Sequence, residues 1–478
     1  MTRGNPSEPA PVLGSSVVLT AGVVVSGGLA LVFHLLAARG LGPVGYGMLT
    51  ASLAYAVLWA IVMEGGISVA LTREAAADPE RLAWTPRLAL WKIGLGLAGT
   101  AGAVGSGWLL GADRPTVTLI GILALGMVAL SEMRLAFAVF RVVGSFAWEA
   151  ALSTLQKAVL LLLAAVVLLW RAGATAVAIV FTLSYAVAGV LALGAAWIHL
   201  RRRLGPASWG GRPHAGFLLG TCAPLLAIEL FTSLYFKLDH ILLLRLRGAE
   251  ETGLYAAAYR VIETLLLVVS GAMTVLFPRL VVAAQGKAGD FIADFLESWK
   301  ALWLAALALV VHGSLWGTSL LPLLLGAAYA PSKTPLQILL FALPFFYVNY
   351  LLTQSLIARG RVVFYASGAA TCAGVNVGLN LFLIPAWGAS GAAYATIATE
   401  GTLLAICLVG LSDLLRVAPV RLTCVTGAVA AAAVALGWLV WPDWIAARAV
   451  LALVASVGLW QMSSPWPLRR TGGGAPTP

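Results

Sequence analysis

Charged residues are what this sequence has little of. Only 10% of its 478 residues are Asp, Glu, Lys or Arg, whereas 61% are hydrophobic and the mean hydropathy is +0.95. Soluble domains carry about 25% charged residues. Because a soluble fold of this length could not bury so much apolar surface, the composition excludes a soluble protein and predicts an all-α integral membrane protein.

Cysteine and recognisable catalytic motifs are also scarce. The four cysteines are far apart and have no metal-ligand spacing, so neither a disulfide framework nor a metal site is expected. Walker A, H-E-x-x-H and G-x-S-x-G sequences are absent, and the longest polar link is about a dozen residues. Gly94-Leu-Gly96-Leu-Ala-Gly99 matches G-x-G-x-x-G, but it lies in an apolar run with no preceding strand. We therefore expect no catalytic residues, no metal, no cofactor and no enzymatic activity.

Apolar runs long enough to cross a membrane recur about fourteen times, since each span needs about 20 residues. The predicted spans are 14–38, 46–71, 88–111, 116–140, 147–170, 174–199, 216–244, 254–281, 299–325, 335–358, 362–384, 388–411, 421–441 and 444–462.

Basic residues are concentrated in alternate links between these spans. Arg73, Arg81 and Arg87 follow the second span, with Lys92 just inside the third, and Arg201–Arg203 follow the sixth. Since cytoplasmic loops carry an excess of Lys and Arg, this pattern predicts a multi-pass protein of the cell membrane with both termini in the cytoplasm. The loops, and an anionic substrate path, account for the net charge of +11 without any nucleic-acid partner.

Three short matches in the same order predict two similar halves. Arg39-Gly40 and Arg247-Gly248 each end an apolar run, and Val69–Arg73 and Arg141-Val-Val143 resemble Val275–Arg279 and Arg361-Val-Val363. With six helices in each half, the repeats run parallel. The predicted domains are a disordered cytoplasmic N-terminus (1–13), an N-terminal six-helix lobe (14–200), a cytoplasmic linker (201–215), a C-terminal six-helix lobe (216–411), an extra C-terminal helix pair (412–464) and a cytoplasmic tail (465–478).

Ionisable residues inside the predicted spans are the candidates for function. Each costs about 2.5–3.5 kcal/mol at mid-membrane, so it is usually paired or turned to a wet interior. They are His34, Glu64, Glu132, Arg134, Glu149, Lys157, Glu229, Lys237, Asp239, Arg260, Glu263 and Glu400.

The spacing of several of these residues indicates whether they could pair with each other on one helix or face a cavity. Glu229 and Lys237 share one helix face, either as an internal pair or as the lining of a cavity. Arg260 and Glu263 are three residues apart and could pair on one helix. Glu132 and Arg134 face different directions, so Arg134 needs another partner or an anionic ligand.

Amide and hydroxyl side chains recur late in the chain. Asn376 and Asn380 lie four residues apart on one face, where interhelical hydrogen bonding is expected. Gly374 and Gly378 flank Asn376 in G-x-x-x-G spacing, which predicts close helix packing there.

A set of segments in a fixed order resembles a known family. They are Ala38–Gly47, Glu64–Ser68, Leu71–Ala75, Leu238-Asp239, Glu251–Arg260, Phe277-Pro278, Asn376, Asn380, Leu383–Pro385, Gly388–Tyr394 and Thr399-Glu400. In these segments the sequence resembles the polysaccharide transporter, or oligosaccharide flippase, branch of the multidrug/oligosaccharidyl-lipid/polysaccharide (MOP) export superfamily.

The resemblance implies about 14 transmembrane helices, in two six-helix lobes around a central cavity plus a C-terminal helix pair. It also implies a flippase that carries a polyprenyl-diphosphate-linked oligosaccharide to the outer leaflet by alternating access. Membrane lipid and that glycan would be its partners, with a polysaccharide polymerase and glycosyltransferases nearby and proton or sodium coupling.

Burial and sign of charge select the candidate site residues. Arg134, Lys237 and Arg260, and with less support Arg39 and Arg73, are the candidate phosphate-facing cations. Glu64, Asp239 and Glu400 are the candidate ion-coupling acids. A lipid II or small-molecule drug exporter of the same superfamily is an alternative, and a drug exporter should have an acidic cavity. A non-transporting membrane scaffold or a glycan-processing membrane enzyme is a third reading.

Overall fold

The computed structural model describes residues 12–204, 213, 216–286, 288–415, 419–441 and 444–463. Within those ranges the only regular secondary structure is helical, which confirms the predicted all-α class. The predicted N-terminal segment before Val12, most of the linker 201–215 and the tail 465–478 lie outside the described residues.

Sixteen α-helices cover most of these ranges. They are α1 (Val12–Glu64), α2 (Ile67–Ala77), α3 (Thr85–Leu109), α4 (Arg114–Val143), α5 (Phe146–Leu169), α6 (Ala174–Leu204), α7 (Ala223–Arg247), α8 (Ala249–Gln285), α9 (Ala288–His312), α10 (Thr318–Leu325), α11 (Lys333–Leu340), α12 (Leu343–Ala358), α13 (Val362–Gly410), α14 (Ser412–Leu415), α15 (Val420–Val440) and α16 (Ile445–Ser463). Short 3-10 segments, Pro79–Trp84 and Ala327–Ser332, and π-helical turns, Phe217–Cys222 and Gly313–Gly317, join some of them.

The number of membrane-crossing helices depends on how the long ones are counted. Among the described residues, 11 helices are long and apolar enough to cross, or up to 12 if one bent pair forms a single span. However, α1 has 53 residues and α13 has 49, although about 20 residues suffice. Each contains one non-helical glycine and so covers two predicted spans. The total of fourteen stays a prediction, because only length and composition define these candidates.

Large apolar side chains on the outer surface agree with a lipid environment. Leu109 is 89% exposed, Phe382 is 84% exposed and Leu439 is 82% exposed. Soluble monomers rarely expose large apolar patches, whereas helices in a bilayer must. The exposed faces of these helices are therefore suited to contact hydrocarbon.

Glycines with the same backbone conformation break the two predicted halves at corresponding points. Gly42 in α1 has φ 66° and ψ 176°, and Gly248 between α7 and α8 has φ 89° and ψ 179°. Only glycine adopts positive φ without steric cost. The sequence match paired Gly248 with Gly40, which lies two residues before Gly42. The predicted repeat of the two halves stays a prediction.

Contacts divide the described chain into two compact units, with the boundary between Leu244 and Arg245. In the first unit, α4 packs against α1, α3, α5 and α6. In the second unit, α12 packs against α8, α9 and α13, while α15 and α16 pack on α9 around an apolar cluster that includes Leu307, Val311, Ala430 and Ala452. The predicted C-terminal helix pair thus shares an apolar core with α9. The predicted domain limits stay predictions.

A carboxylate stabilises the break inside α13. Gly388 has φ 54° and ψ −131°, and the next backbone N–H, that of Ala389, donates to Glu251 Oε2 at 3.0 Å. A Cβ at Gly388 would lie 1.8 Å from the same oxygen. Glycine is therefore required at this break for both conformation and space. Glu251 is also held by Arg247, whose Nη2 lies 2.8 Å from Glu251 Oε1.

Candidate functional site

One face of α3 is built from residues with little or no side chain. Gly96, Gly99, Ala103 and Gly107 are buried at helical spacing, and Lys92 lies on the same face. A Cβ at Gly96 would lie 2.7 Å from Val128 Cγ1, and one at Gly99 would lie 2.6 Å from Met63 Cγ. These small residues let α3 pack closely on α1 and α4. They account for the G-x-G-x-x-G match, and they carry Lys92 into the interior.

Lys92 and Glu64 form a fully buried ion pair. Lys92 Nζ donates to Glu64 Oε2 at 2.9 Å and to Ser68 Oγ at 2.7 Å, and the two charged side chains are 0% and 3% exposed. Ser131 Oγ also donates to Glu64 Oε2, and the Ser68 backbone N–H donates to Glu64 Oε1. The sequence placed Lys92 just inside the third predicted span and counted it with the loop cations, so its buried ion pair was not predicted. Its position on the same helix face as Gly96 and Gly99 was the signal that could have indicated burial.

A second acid lies in the same part of the first unit. Glu132 is 5% exposed, and the charges of Lys92 and Glu64 act on it. Neither of its carboxyl oxygens has a hydrogen-bond partner among the described residues. We call Glu64, Lys92 and Glu132 the charged centre. Its three side chains come from α1, α3 and α4.

The predicted cation Arg134 lies next to the charged centre and has an acidic partner. Arg134 Nη1 donates to Glu229 Oε1 at 3.2 Å, and the side chains are 45% and 34% exposed. The expectation that Arg134 needs a partner beyond Glu132 is thus confirmed. Its charge also acts on Glu64 and Lys92.

The other predicted cations have different surroundings. Arg39 and Arg73 are exposed, and Lys237 on α7 is half-buried. Arg260 Nη1 lies 2.6 Å from Glu263 Oε2, which confirms the predicted pairing three residues apart. Of these cations, Arg134 is the one whose charge is shown to act on the charged centre in the described part of the chain.

The predicted ion-coupling residue Asp239 contacts its neighbour in the chain. Asp239 Oδ1 accepts the His240 backbone N–H at 2.7 Å and lies 2.7 Å from His240 Nδ1. Asp239 is 2% exposed and His240 is 7% exposed. Buried carboxylates require such partners.

Glu400 belongs to a network of amides and hydroxyls in the second unit. Asn349 Nδ2 donates to Glu400 Oε2 at 2.7 Å and to the Glu400 carbonyl oxygen at 2.9 Å. Asn376 Nδ2 donates to Thr399 Oγ1 at 3.3 Å, and Asn380 Nδ2 donates to Asn376 Oδ1 at 2.9 Å. We call these five residues the amide centre. The expected interhelical hydrogen bonding of Asn376 is confirmed, since Thr399 lies beyond the Gly388 break.

Close packing in α13 occurs at a different glycine from the one predicted. A Cβ at Gly374 or Gly378 would meet no atom of the described chain within 4 Å, so the G-x-x-x-G prediction is wrong. A Cβ at Gly391 would instead lie 2.2 Å from the Leu383 carbonyl oxygen. The two arms of α13 are closest there because the chain reverses at Gly388.

Metal ligands are not grouped in the structure. Within the described ranges, no three His, Cys, Asp or Glu side chains lie close enough together to hold a metal ion.

Comparison with known proteins identifies both a family and a fold. The model of the family described as "Polysaccharide biosynthesis protein" matches residues 12–283. No curated protein matches the chain.

Several solved structures share the fold. One is the lipid II flippase MurJ in an inward closed conformation, with a TM-score of 0.75 and 13% identity over 93% of this chain and 98% of that one. Another is an inward-facing multidrug resistance MATE family transporter of the MOP superfamily, with a TM-score of 0.69 and 14% identity over 84% of this chain and 98% of that one. A third is a MOP superfamily transporter from Pyrococcus furiosus, with a TM-score of 0.60 and 14% identity over 84% of this chain and 95% of that one.

Proposed function

Because this chain belongs to the polysaccharide biosynthesis protein family and has the fold of MOP superfamily transporters, we propose that it flips a polyprenyl-diphosphate-linked oligosaccharide across the cytoplasmic membrane. The family match over residues 12–283 carries this proposal. A diphosphate bearing sugars cannot cross about 30 Å of hydrocarbon unaided. The head group crosses by alternating access, and both termini lie in the cytoplasm. Glycosyltransferases act before the flipping step and a polymerase acts after it.

The surroundings of Arg134 support a hydrated, anion-binding path. This side chain is 45% exposed within a predicted span, and an arginine facing lipid would be costly. The surface around it is therefore suited to water. Among the described residues, Arg134 donates one hydrogen bond, to Glu229, and its other N–H donors suit a diphosphate. Lys237, Arg260, Arg39 and Arg73 complete the proposed phosphate-facing set, and Glu64, Asp239 and Glu400 the ion-coupling set.

A pair of arginines on α4 provides the test. Arg134→Ala removes the proposed phosphate contact, whereas Arg141→Ala removes an arginine that is also paired with an acid, Glu149, and is 46% exposed. Purified protein is reconstituted in vesicles that carry a polyprenyl-diphosphate-linked glycan, and an added glycosidase reports the glycan that reaches the outer face. We expect Arg134→Ala to slow flipping about tenfold or more, since a charged hydrogen bond contributes about 1.5–3 kcal/mol. Arg141→Ala should flip at the wild-type rate.

The same vesicles separate the competing functions. Wild-type protein that moves neither this glycan nor lipid II would contradict the flippase proposal. Transport of lipid II but not of the oligosaccharide would assign the alternative lipid substrate. Export of cationic drugs without either lipid would assign a drug exporter. Equal slowing by the two arginine substitutions would remove Arg134 from the proposed substrate path.

A further inference from the structure

The charged centre contains one more acid than its lysine can neutralise. Lys92 and Glu64 bond to each other at 2.9 Å, and Ser68 and Ser131 supply their other hydrogen bonds. Glu132 is 5% exposed, and both of its oxygens lack a hydrogen-bond partner among the residues described. Glu132 is therefore the acid of the charged centre that has no cation bonded to it among the described residues.

The position of Glu132 makes this imbalance costly. Glu132 lies 11 residues before the end of α4 at Val143, or about 16 Å along the helix at about 1.5 Å per residue. This distance is about half the thickness of the hydrocarbon layer. Burying an ionised carboxylate without donors is among the most unfavourable events in a protein interior. With Glu132 ionised the charged centre has a net charge of −1, and with Glu132 protonated it is neutral.

The neighbouring groups define two alternative states for this carboxyl. The titratable groups that act on one another around it are Glu64 on α1, Lys92 on α3, Arg134 on α4 and the Cys222 thiol. Lys92 uses two of its three N–H donors, for Glu64 and Ser68. When Glu132 loses its proton, the charge of Lys92, with its third N–H donor, is able to stabilise the carboxylate.

We propose that Glu132 is a proton-binding residue of the transport cycle, and that Glu64 serves the proposed ion-coupling set by staying charged and positioning Lys92. In each cycle the neutral carboxyl of Glu132 releases one proton to water and becomes a carboxylate. The ammonium of Lys92 then interacts with both Glu64 and Glu132. The reverse step takes one proton from water. A sodium ion is less suited to this place, because it needs several oxygen ligands and would be repelled by the Lys92 ammonium.

The exposed surface of α4 begins close to Glu132 in the chain. Arg134 is two residues further along α4, is 45% exposed and bonds to Glu229, which is 34% exposed. In the proposed cycle the proton exchanges with water at this surface. This inference rests on the proposed function, because it names the coupling ion of a transporter.

The first experiment measures proton binding without transport. Difference infrared spectra of the solubilised full-length protein between about pH 5.5 and about pH 8.5 report protonated carboxyl groups in the range where a neutral buried acid can titrate. We expect one of the carboxylic-acid bands that titrate in wild-type protein to be missing in Glu132→Gln. The matched control Glu149→Gln, which removes an acid in the first turn of α5, should retain every band. A Glu132→Gln protein with the same titrating bands as wild type would overturn the assignment.

The second experiment measures coupling in the same vesicle assay. A gradient of about one pH unit corresponds to about a tenfold concentration ratio, so we expect it to accelerate wild-type flipping by up to that factor. Glu132→Gln should lose the response to the gradient, and Glu132→Asp, which keeps a titrating carboxyl, should retain part of it. Wild-type flipping that ignores the gradient, or a full response in Glu132→Gln, contradicts the inference. Titration of the band in protein that flips nothing contradicts the proposed function and leaves a proton site without its transport role.

Discussion

Each of the two units contains a buried glutamate, and the two glutamates are held by different kinds of partner. In the first unit, the charged centre balances Glu64 against Lys92 at 2.9 Å. In the second unit, the amide centre holds Glu400 with the Asn349 side-chain amide at 2.7 Å, and no charged group in the described chain perturbs Glu400. A charged pair fixes two protonation states at once, whereas an amide tolerates either form of its acid. The first unit is therefore the one in which removal of a single charge should be most damaging.

The sharpest test replaces the acid of each unit by its isosteric amide. Glu64→Gln removes the carboxylate bonded to the buried Lys92 ammonium, so we expect a loss of up to about 3–5 kcal/mol of stability, reduced if Glu132 ionises in its place. Glu400→Gln keeps an oxygen that can accept from Asn349, so its cost should stay within about 1 kcal/mol. Thermal unfolding in detergent micelles measures both. The double variant Glu64→Gln/Lys92→Met should recover part of the loss, because it removes the uncompensated charge. Equal losses for the two single variants would refute the contrast.

The next test compares close packing in the two units. Gly391→Ala places a Cβ 2.2 Å from a backbone oxygen, that of Leu383, so we expect a loss of about 1–3 kcal/mol. Gly99→Ala meets the Met63 side chain, which can move, so its cost should be smaller. Gly374→Ala is the control, because nothing in the described chain lies within 4 Å of its added Cβ. Unfolding temperatures rank the three, and a Gly391→Ala protein as stable as Gly374→Ala would show that the arms of α13 are not tightly packed.

The smallest effect is expected at an exposed ion pair outside the spans. Arg359 Nη1 donates to Asp413 Oδ2 at 2.6 Å. Burial raises the pKa of Asp413, but the hydrogen bond and charge of Arg359 outweigh it and hold that pKa below its ordinary value. The stabilisation is therefore complete above the ordinary Asp range and is lost only as the pH falls through the lowered pKa. Asp413→Asn should cost at most about 1 kcal/mol, with no pH dependence near neutrality. A change in this cost between neutral and mildly acidic pH would contradict the assignment.

Composition and local spacing were sufficient for the fold class and for contacts within one helix. The Arg260–Glu263 pair is an example, since residues three apart on a helix are neighbours in any helical fold. Contacts between helices could not be predicted in this way. The partner of Arg134 is Glu229 on α7, and only tertiary packing brings the two together. The burial of Lys92 was missed because its charge was weighed without the glycines on the same face.

Glycines in the sequence indicated correctly where helices are interrupted, but G-x-x-x-G spacing did not indicate where helices pack closely. Gly42 and Gly248 each interrupt a helical stretch with positive φ and extended ψ, a conformation that favours glycine. Gly374 and Gly378 have motif spacing but no close neighbour, because their face of α13 does not meet another part of the described chain. Backbone conformation follows from the residue type, whereas close approach depends on what lies opposite.

The ends of α1 and α2 meet at Gly65 and Gly66, both with positive φ, and Lys92 bonds to one residue on each side of them. Glu64 ends α1, and Ser68 lies in the first turn of α2. Lys92 therefore links the end of α1 to the start of α2. A rotation of α2 about these two glycines would have to lengthen one of its two hydrogen bonds.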